Sequence, residues 1–189
     1  MSEQFFSVAH SFPINVTPLA SDYPLPSLEQ LEQEMPEPFR IAGAIAHVDM
    51  SAARQLRNVD EELGVLVEVI NQQSFKINML LSYLLSQLDD PVCRHHTQSV
   101  GGSQLSFISS LPLQPGQLLR LKLFLQEEAA AIYCYGQVSE IESQPTGPLV
   151  HAHYVVIREA DREALVRASL HIQSRQLKLR AEQRATQPK

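Results

Sequence analysis

The chain has 189 residues, 44% of them hydrophobic and 19% charged, enough for one ordinary domain with a buried core plus extensions, and too apolar for global disorder. Its 7 glycines form neither a P-loop nor a dinucleotide-binding motif, which excludes the common phosphate-cradling enzymes. Net charge is −6 but unevenly placed: residues 1–157 hold 7 basic and 17 acidic side chains (−10), residues 158–189 hold 8 and 4 (+4), and so acidic a body argues against nucleic acid as a partner.

Taken in chain order, residues 1–40 hold six of the twelve prolines, Pro13, Pro18, Pro24, Pro26, Pro36 and Pro38. Proline removes a backbone donor and blocks helix, so this zone reads as a proline-rich extended arm, with Phe5, Phe6, Phe12, Ile14 and Tyr23 available for docking. Within it, Ser27 to Met35 predicts a short helix, with Ser27 as cap and Gln30 completing a capping box.

Residues 41–90 lack proline, and apolar side chains there recur every three and four positions: Leu56, Val59, Leu63, Leu66, Ile70, Ile77, Leu80 and Leu84, with Gln73 in the one gap. This is a heptad seam, and 41–91 reads as a long oligomerisation helix, continuous from Ser51 to Leu88 and ended by Asp89, Asp90 and Pro91. Such a helix is about 57 Å long, against about 28 Å for the diameter of a 120-residue globule. Val65, Val67, Val69, Phe75, Met79 and Leu85 lie off the seam, so the helix needs more than one packing partner. Self-association is expected through this seam. Leucine at d with isoleucine at two a positions would suit a dimer, but the broad apolar circumference favours a tetramer.

Residues 92–157 predict short strands at Gln104–Ser109, Leu118–Leu125, Ala131–Ile141 and Leu149–Ile157. In the second, Leu119-Arg120-Leu121-Lys122-Leu123 alternates with period two, so one face is buried and one is wet. Antiparallel strands at this spacing suggest a small barrel or sandwich. A final helix is expected from about Ala160 to Ala185, with Leu165, Ile172 and Leu179 on one stripe. Its basic residues read as a solvated helix end, the other option being a weak patch for an acidic partner. The fold class is therefore α+β.

Catalytic signatures are missing: Gly-x-Ser-x-Gly, His-Glu-x-x-His and Cys-x-x-Cys do not occur. His95 and His96 are adjacent and diverge. His151 and His153 share a strand face and could begin a Zn or Cu site, but further ligands are needed. Cys93 and Cys134 read as small hydrophobes and not as a disulfide framework. No apolar run approaches the roughly 18 residues of a membrane span. The first basic residue is Arg40, so the basic region of a signal peptide is lacking. A cytoplasmic protein without enzyme activity, cofactor, metal or membrane contact is expected.

Residues 92–180 resemble the PilZ family of bacterial cyclic di-GMP receptor domains. The family's (Asp/Asn)-x-Ser-x-x-Gly motif is matched at Ser99 and Gly102, with Thr97 in place of the acid or amide. Leu113-Gln114-Pro115-Gly116 followed by Leu118–Leu125, then Tyr135-Gly136-Gln137-Val138, then Tyr154-Val155-Val156-Ile157 with Asp161-Arg162, follow in the family's order. The resemblance implies a small antiparallel β-barrel with a C-terminal helix over 92–189. It also implies a ligand-binding set at Arg94, Thr97, Ser99, Gly102, His151 and His153. PilZ-like proteins that carry a long heptad helix assemble as tetramers, which adds to the case for four.

Three departures bear on the ligand. Receptors in the family grip phosphate with an Arg-x-x-x-Arg motif before the barrel; between Leu56 and Leu105 the arginines are Arg57 and Arg94, and no pair has that spacing. Thr97 lacks the group that reads a guanine edge. A glycine that lets the ligand approach the last strand aligns with His151. The resemblance thus implies a signalling scaffold that acts through itself and an unknown signalling protein, with cyclic di-GMP not bound in the usual way. The alternative is a receptor with a rewired site built on Arg94, Ser99, Gly102, and His153 or Arg158.

Overall fold

The computed structural model describes residues 7–46, 61–125 and 130–186. Its elements are β1 (Ser7–Ala9), β2 (Pro13–Pro18), α1 (Leu28–Glu34), α2 (Glu37–Ala46), α3 (Glu61–Ser86), β3 (Arg94–Gly101), β4 (Gln104–Ile108), β5 (Leu118–Leu125), β6 (Ala130–Gln144), β7 (Gly147–Val156) and α4 (Glu159–Thr186). Neighbouring strands run β3-β2-β5-β6-β7-β4, and β4 pairs back onto β3, so six antiparallel strands close into a barrel. Closure removes free sheet edges. β1 extends the pairing along β3 beyond β2, with Ser7 opposite Gly101 and Ala9 opposite Ser99.

The side-chain pattern places the barrel core. Leu119, Leu121 and Leu123 of β5 point inward and are buried, while Arg120 and Lys122 between them reach the surface. Ile14, Val16, Leu105, Phe107, Ile132 and Val150 fill the same interior, and Leu165 and Ala168 of α4 join them. A second core lies outside the barrel wall. There Leu31 of α1, Phe39 of α2, and Leu81 and Leu85 of α3 cover Phe124, Ala131, Tyr133 and Tyr135. β6 is therefore buried on both faces from Ala130 to Tyr135, which is why that stretch shows an unbroken apolar run instead of alternation. Tyr135 anchors α1 through its hydroxyl, which donates to Glu34 at 2.6 Å.

The lead-in, expected as an extended arm around one short helix, supplies β2 to the barrel, β1 to its side, and both the expected α1 and the unexpected α2 to the second core. Pro13 and Pro18 stand at the two ends of β2, where a missing donor is tolerated. Pro38 stands in the first turn of α2, where helix amides lack partners anyway. The capping box of α1 is present: the Ser27 hydroxyl accepts from the Gln30 amide, and the Gln30 side chain accepts from the Ser27 amide.

Over the described residues α3 runs for 26 residues, about 39 Å. Positions 51–60 of the expected longer helix, with Leu56 and Val59, lie outside the described residues, as does the Leu63 side chain. The stop at Asp89-Asp90-Pro91 is held by Asn15 of β2. The Asn15 amide donates to Asp89 Oδ1 at 2.7 Å and to the Asp90 carbonyl at 3.0 Å, and its oxygen accepts from the Asp90 amide at 2.9 Å. Asn15 is itself buried. Replacing it with alanine orphans these groups, and Asn15→Ala should lower stability by about 2–3 kcal/mol. Urea denaturation measures this; a midpoint equal to wild type would show that water replaces the clamp.

Candidate functional site

Ligand-motif residues fall mostly on β3, and the fold uses them internally. Thr97 is fully buried. Between β1 and β2 the chain bends, and Thr97 closes that bend: its hydroxyl accepts from the Phe12 amide at 3.1 Å and donates to the His10 carbonyl at 2.8 Å. Its own amide donates to the Phe12 carbonyl at 3.1 Å. Ser99 lies two residues on, past a bulge in the β3–β4 ladder, with its hydroxyl 2.7 Å from that of Ser106. Gly102 sits beneath α4. A Cβ there would lie 2.6 Å from Val166 Cγ2, and the Gly102 carbonyl accepts from Arg162 Nη1 at 2.8 Å. A side chain at this position would have to displace the Val166 methyl.

Of the remaining motif positions, the two histidines of β7 come near Ser99 and Gly102, and Arg94 does not. Arg94 begins β3, eight residues from Gly102, about 26 Å along an extended strand. Its Nε donates to Asp89 at 2.6 Å, where α3 meets the barrel. His151 and His153 of β7 share the outer face, as expected from their spacing. His151 pairs across β4 with Ser106, so Ser99, Ser106 and His151 form one cross-strand row. His151 Nε2 stands 3.3 Å from Glu142 Oε1, and His153 pairs with Gln104.

His95 and His96 diverge: His95 is buried edge-on to Phe107, with ring centroids 5.4 Å apart, and His96 is exposed. Among the described residues no group of three or more His, Cys, Asp or Glu could hold a metal ion. Burial pushes the Cys134 thiol well above its ordinary range, so it stays protonated at neutral pH. Burial likewise raises the Tyr154 hydroxyl.

Two surfaces stand out instead. The first is the seam side of α3, where Leu66, Ile70, Gln73, Ile77, Leu80 and Leu84 are all exposed while Leu81 and Leu85 are buried against the second core. Exposure continues round the helix through Tyr83 and Met79 to Phe75, about 160° from Ile77 at 3.6 residues per turn. The second is a groove between α1, α2 and the start of α4, in two adjoining lobes of about 380 and 490 Å³ that share Glu32, Arg40 and Arg158. Sequence reasoning did not assemble this groove, because α2 was not expected as a separate helix. No described helix is long and apolar enough to cross a membrane.

A family model for the PilZ domain matches residues 70–171, 102 of the 189 positions. The chain belongs to the PilZ domain family. The matched region opens inside α3 and closes inside α4, so β1, β2, α1 and α2, which complete the barrel and its outer core, lie outside it. Among solved structures, a tetrameric PilZ domain protein of Xanthomonas campestris, self-assembled through a helical bundle, is 15% identical. That match covers 93% of this chain and 91% of that one, with a TM-score of 0.53, and it shows a shared fold.

The Bacillus subtilis inhibitor of motility MotI/DgrA is 23% identical over 43% of this chain and 42% of its own, with a TM-score of 0.41. Escherichia coli YcgR, solved in complex with c-di-GMP, is 12% identical over 48% and 39%, with a TM-score of 0.39. This chain thus spans less than half the length of these last two. A search of curated proteins finds no match.

Proposed function

We propose that this PilZ domain protein is a non-enzymatic scaffold of cyclic di-GMP signalling, cytoplasmic, assembled as a tetramer through α3, and acting through protein contacts without holding the dinucleotide by the family motif. The observation that carries the reading is the state of Thr97. Its hydroxyl is fully buried, with its proton given to the His10 carbonyl and a lone pair to the Phe12 amide, which supports a structural use of that position over reading a guanine edge. The contact of Gly102 with Val166 and the pairing of Arg94 with Asp89 support the same reading. The rewired-receptor alternative retains Ser99, His151 and His153, without a pair of arginines beside them.

Assembly is supported by the exposed seam. Six positions spread over nearly 20 residues of one helix face, five of them large and apolar, form a patch that monomers rarely leave uncovered. The likeness in fold to a helical-bundle tetramer is consistent with that use. Calorimetric titration with cyclic di-GMP tests the reading. No saturable heat is expected up to 100-fold excess over micromolar protein. Saturable binding at micromolar dinucleotide would overturn the scaffold reading in favour of the rewired receptor.

A further inference from the structure

We propose that the exposed basic end of α4 docks into the groove between α1, α2 and the start of α4 on a second copy of this chain. The inference is independent of the α3 seam and of the ligand motif.

The groove is acidic with an apolar rim. Glu29 and Glu32 of α1 stand on one wall, with Arg40 of α2 opposite. Arg158 forms the floor, reaching close over Gly43, but its charge is answered by Asp161, to which Nε and Nη2 donate at 2.7 and 2.8 Å. Two glutamates therefore face one unanswered arginine inside the groove. Leu28 of α1 lines the groove and is exposed, as are Leu25 just before α1 and Ile41 of α2.

The ligand end has the complementary character. α4 packs on the barrel through Leu165, Ala168 and Ser169, and at Gln176 its side-chain amide donates to the Ala9 carbonyl at 2.7 Å. From Leu177 to Glu182 every residue is exposed, Leu177 at 58% and Leu179 at 51%. From Arg175 to the end the sequence has five basic residues and one acidic. A helix end with no packing beneath it gains most of its stability from a partner. Lys178 and Leu179, about 100° apart on the helix, can enter a groove together, the ammonium toward Glu29 and Glu32 and the leucine toward Leu28.

Helix geometry decides that the contact is between molecules. The groove includes Glu159 and Ala160, the first residues of α4 itself. Lys178 lies nineteen residues further along the same continuous helix, about 28 Å away at 1.5 Å per residue. A helix cannot lay its end on its own start, so the tail must enter the groove of another molecule. Charge selects which: the body carries −10 and the tail +4, so a second copy offers the matching surface. Two copies can exchange tails about a two-fold axis, each tail in the other's groove, so the contact closes as a reciprocal pair.

Zero-length carbodiimide coupling tests this on the full-length protein, because it joins only an amine and a carboxylate already in contact. A covalent dimer band is expected, and peptides from it should link Lys178 to Glu29 or Glu32. The yield should fall at least fivefold in 0.5 M salt, where the screening length is roughly 4 Å. Glu29→Lys with Glu32→Lys should abolish the link. Adding Lys178→Glu and Arg180→Glu to that variant should restore coupling with the polarity reversed. Dimer-band peptides that join Lys178 to other carboxylates, or a reversed pair that fails to couple, would overturn the proposal.

Discussion

The Ile70→Asp, Ile77→Asp double variant is expected to run as a folded monomer. Both side chains are partly exposed in the single chain, Ile70 at 37% and Ile77 at 50%. A carboxylate at either position in a monomer therefore meets water and disturbs little. In an assembly that buries the seam, the same carboxylate is desolvated and unpaired, which costs several kcal/mol per site even after relaxation. Symmetry repeats that cost in every protomer. The assembly should come apart while the barrel stays intact, since the barrel core draws on β2–β7 and α4 and not on the seam. Leu81 and Leu85 should hold the last turns of α3 in place, and the free turns before them should fray. Sedimentation gives the mass, and circular dichroism should show lost helix with unchanged strand signal. A double variant that keeps its wild-type mass would make the stripe a surface without a partner.

Thr97→Asp should destabilise the fold by several kcal/mol at neutral pH and should not create cyclic di-GMP binding. The substitution restores the residue type of the family motif, yet the position is fully buried. An ionised carboxylate could still accept from the Phe12 amide but cannot donate to the His10 carbonyl, so two acceptors would face each other out of water. The cheaper response is for the aspartate to hold its proton, which raises its folded-state pKa above the unfolded value of about 3.9. The sign follows: a raised folded pKa favours the folded state below about pH 4 and penalises it as pH rises through the folded value. The deficit relative to wild type should therefore shrink on acidification. Thr97→Ser keeps both hydrogen bonds and should stay near wild type. Thr97→Val orphans two backbone groups and should lose about 1–3 kcal/mol. Denaturant midpoints at pH 4.5 and pH 7 read all three. A Thr97→Asp protein as stable as wild type at pH 7 would mean that the bend at His10–Phe12 opens readily, leaving the motif accessible.

How far the fold was legible depended on what each face of an element meets. β5 was legible because its leucines fill the barrel while Arg120 and Lys122 reach water, so the period of two survives in the sequence. α4 and the capping box of α1 were legible for equally local reasons. β3 was not, because its inward positions include His95 and Thr97, polar groups buried on internal partners, while Arg94, His96 and Gln98 are wet. Its sequence carries little apolar signal. β2 was hidden by Pro13 and Pro18, which look like arm composition until pairing shows that they only bracket the strand. The ligand motif was legible as a pattern, but not its internal use: nothing near Thr97 in sequence announces Phe12, 85 residues away. Gly102 is a similar case, since the helix that packs over it begins 57 residues later, at Glu159.

Light scattering on the wild-type protein, with the mass read across micromolar concentrations, tests the central claim most directly. The apolar face of α3 extends too far round the helix for one neighbour to cover, so four protomers of 21.2 kDa are predicted, a mass of about 85 kDa. A constant mass near 21 kDa at those concentrations would contradict assembly through α3 and, with it, the scaffold account.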